Sequence, residues 1–297
     1  MRLLLLLAFA IPASAQRLVL ATNDNDTFNP GSAIGWPSST VAMRFLPSAN
    51  MTATAAEIFT GNGAGTNRLA IWSHDAVNDR PLVPLAPAAS WSMLPVRCWQ
   101  GTTLATPIPL AAGQTYWLVW DVVNFAQNSV AASSTPANVE VRVSSNGGTS
   151  WNASVTWAAK LRIYEASATG AITAYGTAKP GVYGNPSIGV SGWPTVGNPL
   201  DVWVHDTAAA TPCLLIVGVP TNIPLGFATL WVDLQVTVFL STLYVNSPVW
   251  RGSLSHTLRV PNTPSAVGFP LSFQWGIFDG AAAEGLSHTA AVTALLQ

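Results

Sequence analysis

Almost nowhere does this chain repeat apolar residues at the three-to-four spacing of a helix. Short runs rich in Val, Thr, Trp, Phe and Tyr alternate apolar with polar residues instead, and stop at clusters of Gly, Pro, Asn and Ser. Alternation at period two sends successive side chains to opposite faces of a strand, so each run has one face to bury. Many such runs between turn residues predict an all-β protein built from sandwiches. The first half carries "RLVLA", "TVAMRFL", "TATAAEIFT", "NRLAIWSH", "TYWLVWDVV", "NVEVRVSS" and "AKLRIYEA". The second carries "PSIGVSG", "PLDVWVHD", "CLLIVGV", "LQVTVFL", "SLSHTLRV", "LSFQWGIFD" and "HTAAVTALL". That number per half suits two β-sandwich domains in tandem, jelly-roll or immunoglobulin-like.

The opening "MRLLLLLAFAIPASAQ" sets Arg2 before an apolar run from Leu3 to Ile11 and the small-residue pattern Ala13-Ser14-Ala15. This is the pattern of a secretory signal peptide over 1–15, cut after Ala15. The run is too short to cross a bilayer, which takes roughly 20 apolar residues. The nearest later stretch, "CLLIVGVPTNIPLGFATLWV", is broken by Pro220, Asn222 and Pro224. The expectation is a protein secreted to the extracellular space or cell surface, with no transmembrane segment. Alternation lapses in "EASATGAITAYGTAKPGVYGNP", which places one sandwich at 16–167, a linker at 168–180 and a second sandwich at 181–297.

With 12 Lys and Arg against 13 Asp and Glu, the chain has no basic stripe to meet a phosphate backbone, which argues against nucleic acid. Its two cysteines, Cys98 and Cys213, fall in different halves. Export permits a disulfide between them, and two buried thiols are the plain alternative. Neither belongs to a Cys pair at zinc-finger spacing.

Two resemblances rest on longer stretches. "VAMRFLPSANMTATAAEIFTG", "NRLAIWSHD" and the strand entry from Pro109 to Val119, "PLAAGQTYWLV", resemble the choice-of-anchor type jelly-roll domains of bacterial exported proteins. From "AYGTAKPG" through "GNPLDVWV" to "FPLSFQWGIFD", the second half looks like the C-terminal β module of planctomycete exported proteins. That module usually opens Tyr-Gly-x-Gly-Cys-Pro; here Ala178 and Lys179 replace the Gly and Cys, so any disulfide of that cysteine is missing. The resemblances imply an exported, surface-associated protein and transfer no catalytic residue.

Shorter motifs are sparse. "SSNGGTSW" fits the Asp-box pattern Ser-x-Asp-x-Gly-x-Thr-Trp through Ser144, Asn146, Gly148, Ser150 and Trp151. Asn-Gly accepts the positive φ of a tight turn, beneath which Trp151 packs. One copy, where a propeller repeats the box in every blade, marks it as structural. "ATNDNDTFNPGS" offers Asp24 and Asp26 as oxygen ligands for calcium, but Phe28 falls where an EF-hand needs a ligand, and an ion-free Asx-rich loop is the plainer reading.

Catalytic patterns are missing. Glu57, Glu140, Glu165 and Glu284 are scattered, without the paired acids of a sandwich glycosidase. There is no Gly-x-Ser-x-Gly elbow, His-Glu-x-x-His pair or phosphate-cradling loop. The chain does write Trp-x-His-Asp twice, as Trp72, His74, Asp75 and as Trp203, His205, Asp206, among four histidines in all. In "PLDVWVHD" Leu200, Val202 and Val204 share the core face, opposite Asp201, Trp203 and His205; in "NRLAIWSH" Leu69 and Ile71 oppose Trp72 and His74. Each pair of outward rings beside an Asp is a candidate platform for stacking on the apolar face of a sugar. It is equally a Trp covered by a loop or by the other half. The expected function is a non-catalytic surface-associated binding or structural module, with polysaccharide or glycoprotein as candidate ligand and no cofactor beyond a possible calcium. The alternatives are a secreted glycoside hydrolase whose residues converge only in space and a purely architectural protein.

Overall fold

The computed structural model describes residues 17–24, 34–35, 40–61, 65–94, 96–121, 127–128, 138–165, 172–234, 237–242 and 252–297. The signal peptide expected at 1–15 and Asp26 lie outside them. In the first half the strands are β1 (Arg17–Thr22), β2 (Ile34–Gly35), β3 (Thr40–Phe45), β4 (Met51–Gly61), β5 (Thr66–Asp75), β6 (Arg80–Pro84), β7 (Ala89–Ser92), β8 (Cys98–Leu110), β9 (Tyr116–Asp121), β10 (Gln127–Asn128), β11 (Val139–Ser144), β12 (Val155–Trp157) and β13 (Leu161–Glu165). The second half has β14 (Ile172–Tyr175), β15 (Ser187–Gly192), β16 (Pro199–Thr207), β17 (Pro212–Gly218), β18 (Pro220–Pro224), β19 (Thr229–Val232), β20 (Thr237–Thr242), β21 (Gly252–Arg259), β22 (Pro270–Ile277) and β23 (Ser287–Leu295). No α-helix occurs among the described residues, and so none long and apolar enough to cross a membrane.

The expected all-β sandwich architecture is what the chain adopts. One sheet runs β1-β13-β4-β10-β2, with β8 also paired to β4; it faces the sheet β12-β11-β3-β9-β5-β6, to which β7 adds on β5. Ala56, Ile58, Leu161 and Ile163 from the first meet Val41, Met43, Leu69, Ile71, Leu118 and Trp120 from the second. A separate core lies between the sheets β14-β23-β22-β17-β20 and β15-β16-β21. It takes Leu200, Val202 and Val204 from β16, and Leu215, Val217, Phe273 and Trp275 opposite. All described pairings are antiparallel, so each sheet alternates one buried face with one outer face.

Two features depart from the sequence expectation. Part of the segment read as linker, Ile172–Tyr175, is the edge strand β14, paired with β23; its side chains are mostly exposed, which is why no apolar alternation marks it. β8, the longest strand described, was not anticipated. Its sequence, CWQGTTLATPIPL, contains Gly101, Pro107 and Pro109, residues that a strand with neighbours on both sides does not accommodate. β8 has β4 as its one neighbour in the sheet, and such an edge position is where prolines are tolerated.

β8 also sits where the halves meet. β8 packs against β15, β16 and β21, and residues around it that would otherwise face water, Asp201, Glu57 and Arg162 among them, are buried.

Candidate functional site

The first Trp-x-His-Asp pattern closes β5. Leu69 and Ile71 enter the core as expected, while Trp72 lies on the other face, in register with Trp117 of β9, and packs with Ala42, Trp117 and Val119. The turn 144–151 covers this cluster. Trp151 meets Trp72 edge to face at 5.9 Å, and a Cβ on Gly148, whose φ is 89°, would come within 2.9 Å of the Trp72 ring. Ser144 and Asn146 tie the turn: Gly148 N–H donates to Ser144 Oγ at 2.8 Å and Ser150 N–H to Asn146 Oδ1 at 3.0 Å.

His74 is taken up by the same cluster. Its Nδ1 accepts the indole N–H of Trp117 at 3.2 Å, which leaves the proton on Nε2, 3.7 Å from Asp79. Asp79 continues into a balanced surface network with Arg44, Arg142 and Glu140. Asp75 closes the β5–β6 turn. Its carboxylate accepts from the backbone of Val77 and Asn78, from the Asn78 side chain at 2.7 Å and from Arg80. The Asn78 side chain first, then these backbone bonds, holds its pKa below the ordinary carboxylate value.

The second copy is arranged differently. Trp203 stands opposite Gly189 on the edge strand β15 and Ser255 on β21. The indole lies flat over the glycine: a Cβ there would fall 2.0 Å from the ring. The His205 ring stacks beside it, 5.7 Å from Trp203 and tilted by only 18°. Asp206, at φ 62°, places a carboxylate oxygen 2.7 Å from His205 Nδ1. The result is a pair of parallel, half-buried rings with an acid beside them and the hydroxyl-bearing Ser187 and Ser255 on the neighbouring strands, the Trp203 indole N–H being buried with no hydrogen-bond partner among the described residues.

Asp201, two residues before Trp203 on the same face, is fully buried. It accepts the Trp99 backbone N–H at 2.5 Å and the Thr257 hydroxyl at 2.6 Å, so a carboxylate of the second half bonds β8 of the first. Facing it, Arg162, Glu57 and Gly101 form one row across β13, β4 and β8, and Phe59 and Trp99 the next. The Arg162 guanidinium stacks on Trp99 at 3.8 Å, bonds Asp24 at 2.7 and 2.8 Å, and lies 3.6 Å from Glu57. Tyr164 donates to Glu57 at 2.7 Å and packs on Trp193 of the second half. Arg259 bonds the other oxygen of Asp24, and the Leu18 N–H donates to Asn198. Lys160 sits over the Phe59 ring.

Burial dominates the electrostatics of this junction. It pushes the Glu57 carboxyl up to about 7, against the pull of Arg162 and of the Tyr164 hydrogen bond. Burial works against the Arg162 charge too, but Tyr164, Glu57, Asp201 and Asp24 together hold its pKa above the ordinary value. The Cys98 thiol is raised by burial and then by Asp201. An unreactive, protonated thiol follows.

These placements bear on several readings. Asp24, proposed with Asp26 for calcium, has both oxygens on guanidinium groups, and no cluster of three metal-ligating side chains exists among the described residues. Cys98 and Cys213 are buried and free. Lys179, in place of the expected cysteine, donates its ammonium to the carbonyls of Phe227 and Ala283 and pairs with Glu284, a non-covalent link between three loops. His288, which no motif singled out, lines a narrow apolar crevice with Leu214, Phe227 and Phe278. Its Nε2 accepts the Thr229 N–H, and burial first of all lowers its pKa, keeping it neutral. The junction escaped sequence reading because Glu57 and Arg162 sit in strands that read as ordinary alternation; only their charge on a face with Phe59 and Tyr164 hinted at it.

No family model matches the chain, and no curated protein matches it. Among solved structures, red sea bream transglutaminase is similar at a TM-score of 0.22 and 8% identity, over 96% of this chain and 31% of that one. The chain thus spans about a third of that protein's length, and so low a score carries no argument about activity.

Proposed function

We propose that this is an exported, non-catalytic module of a cell surface or extracellular matrix that binds glycans through the second Trp-x-His-Asp strip. The observation that carries the reading is the parallel, stacked pair Trp203 and His205, with the indole laid over Gly189 and Asp206 beside His205. Flat rings cover the apolar face of a sugar while neighbouring carboxylate and hydroxyl groups bond its hydroxyls. The non-catalytic part is supported by where the strongest acids and bases lie. Glu57, Asp201, Arg162 and Tyr164 are buried in the junction, bonded to one another or to backbone, with no cavity beside them among those described. The resemblance to exported β modules and the leader-like opening support the location.

The test is a printed glycan array probed with the chain from Gln16 onward, with reducing-sugar release measured on every glycan bound. The reading expects binding to a defined glycan subset and no release. Release of sugar overturns the non-catalytic reading, and binding to none of the glycans overturns the ligand class.

A further inference from the structure

The junction between the halves holds more ionisable groups than a permanent contact needs. Three carboxylates, Asp24, Glu57 and Asp201, surround the guanidinium of Arg162, itself fully buried. Two of them are firmly provided for: Asp24 by Arg162 and Arg259, Asp201 by the Trp99 N–H and the Thr257 hydroxyl. Glu57 differs. Its neighbour across the strand is Gly101, which offers no donor side chain, and the Arg162 guanidinium stands 3.6 Å away with its shorter contacts turned to Asp24. The Tyr164 hydroxyl donates to it at 2.7 Å, and Arg162 adds a weaker hydrogen bond.

The groups facing Glu57 come from every element packed there. β13 contributes Arg162 and Tyr164, and the residue before it is Lys160, whose ammonium sits over Phe59, one row away. β8 contributes Trp99 and the neutral Cys98, preceded by Arg97. β16 contributes Asp201, and Asp24 follows β1.

We propose that the junction is a pH-dependent clasp, closed when Glu57 is protonated and loosened when Glu57 ionises beside Asp201. An ionised Glu57 sets a second negative charge against Asp201 in a medium of low dielectric, where repulsion is poorly screened. The contact that yields is the one Asp201 makes across the halves, to the Trp99 N–H of β8. The direction follows from linkage: a carboxyl held above its ordinary value binds its proton more tightly in the closed form. Closure is therefore favoured fully below the ordinary value of 4.5 and weakens as pH rises to about 7.

Hydrogen exchange of the full chain, corrected for the intrinsic pH dependence, reads this directly. Protection of 98–101 is compared with that of 117–120, in the core of the first half. The clasp predicts that the ratio falls about tenfold or more between pH 5 and pH 8, and that Glu57→Gln holds it constant. A ratio that does not change with pH in the natural chain, or that changes equally in Glu57→Gln, overturns the proposal. Tyr164→Phe supplies a second reading, independent of whether Glu57→Gln folds. It removes a bond that favours ionised Glu57, so the midpoint of the change moves to higher pH; an unmoved midpoint also overturns the clasp.

Discussion

β5 and β16 carry the same residues, Trp-x-His-Asp, at or next to their ends, in strands with the same aliphatic inner face, and they do unlike things with them. On β5 the Trp stands on edge against Trp151, the His bonds a neighbouring indole and the Asp closes its own turn. On β16 the Trp lies flat over a glycine, the His ring stacks parallel to it and the Asp pairs with that His. The difference comes from the strands alongside. Trp72 has Trp117 opposite it, whose bulk leaves no room to lie down; Trp203 has Gly189 and Ser255. A cross-strand glycine is what turns a core tryptophan into a platform. Four residues of motif do not specify a site; the residues they face do.

The strands differ again one pleat earlier. Ala70 on β5 has no charge to place, whereas Asp201 on β16 reaches into the other half. Changes around Asp201 should therefore cost far more than changes around Asp75. Arg162→Met is expected to have the largest effect, about 3–5 kcal/mol in urea unfolding, because it strands Asp24 and Glu57 without their shared buried cation. A loss below about 1 kcal/mol would mean that the junction adds little to the fold. Asp201→Ala leaves the buried Trp99 N–H and the half-buried Thr257 hydroxyl without their charged partner, and about 2–3 kcal/mol is expected. Asp75→Ala removes a turn cap whose bonds stay within the β5–β6 turn, and a loss clearly smaller than that of Asp201→Ala is expected in the same assay. Equal losses for the two aspartates would erase the distinction drawn between the strands.

How far this was readable in the sequence depends on what each residue faces. The alternation of Leu200, Val202 and Val204, or of Leu69 and Ile71, announces a strand and its inner face, because water exclusion acts on every second residue alike. It is silent on the outer face. "DVWVHD" reads as polar and solvent-facing at Asp201, yet the first half covers it. That cover comes from β8, whose glycine and prolines disguise it. Contacts between sheets far apart in the chain leave no periodic trace, so Glu57 and Arg162 looked scattered where the fold brings them together. The Asp-box-like turn was legible, since Ser144, Asn146 and Gly148 form its bonds within a few residues of one another. That Trp72 lies beneath it was not, since 72 and 148 meet only in the folded chain.

Binding of the glycan retained best on the array, measured side by side for the natural chain, Trp203→Ala and Trp72→Ala, tests the central contrast most directly. The account predicts at least about a tenfold loss for Trp203→Ala, the scale of losing one stacking ring, and affinity within about twofold of the natural chain for Trp72→Ala. Equal losses, or the larger loss at Trp72, would contradict it.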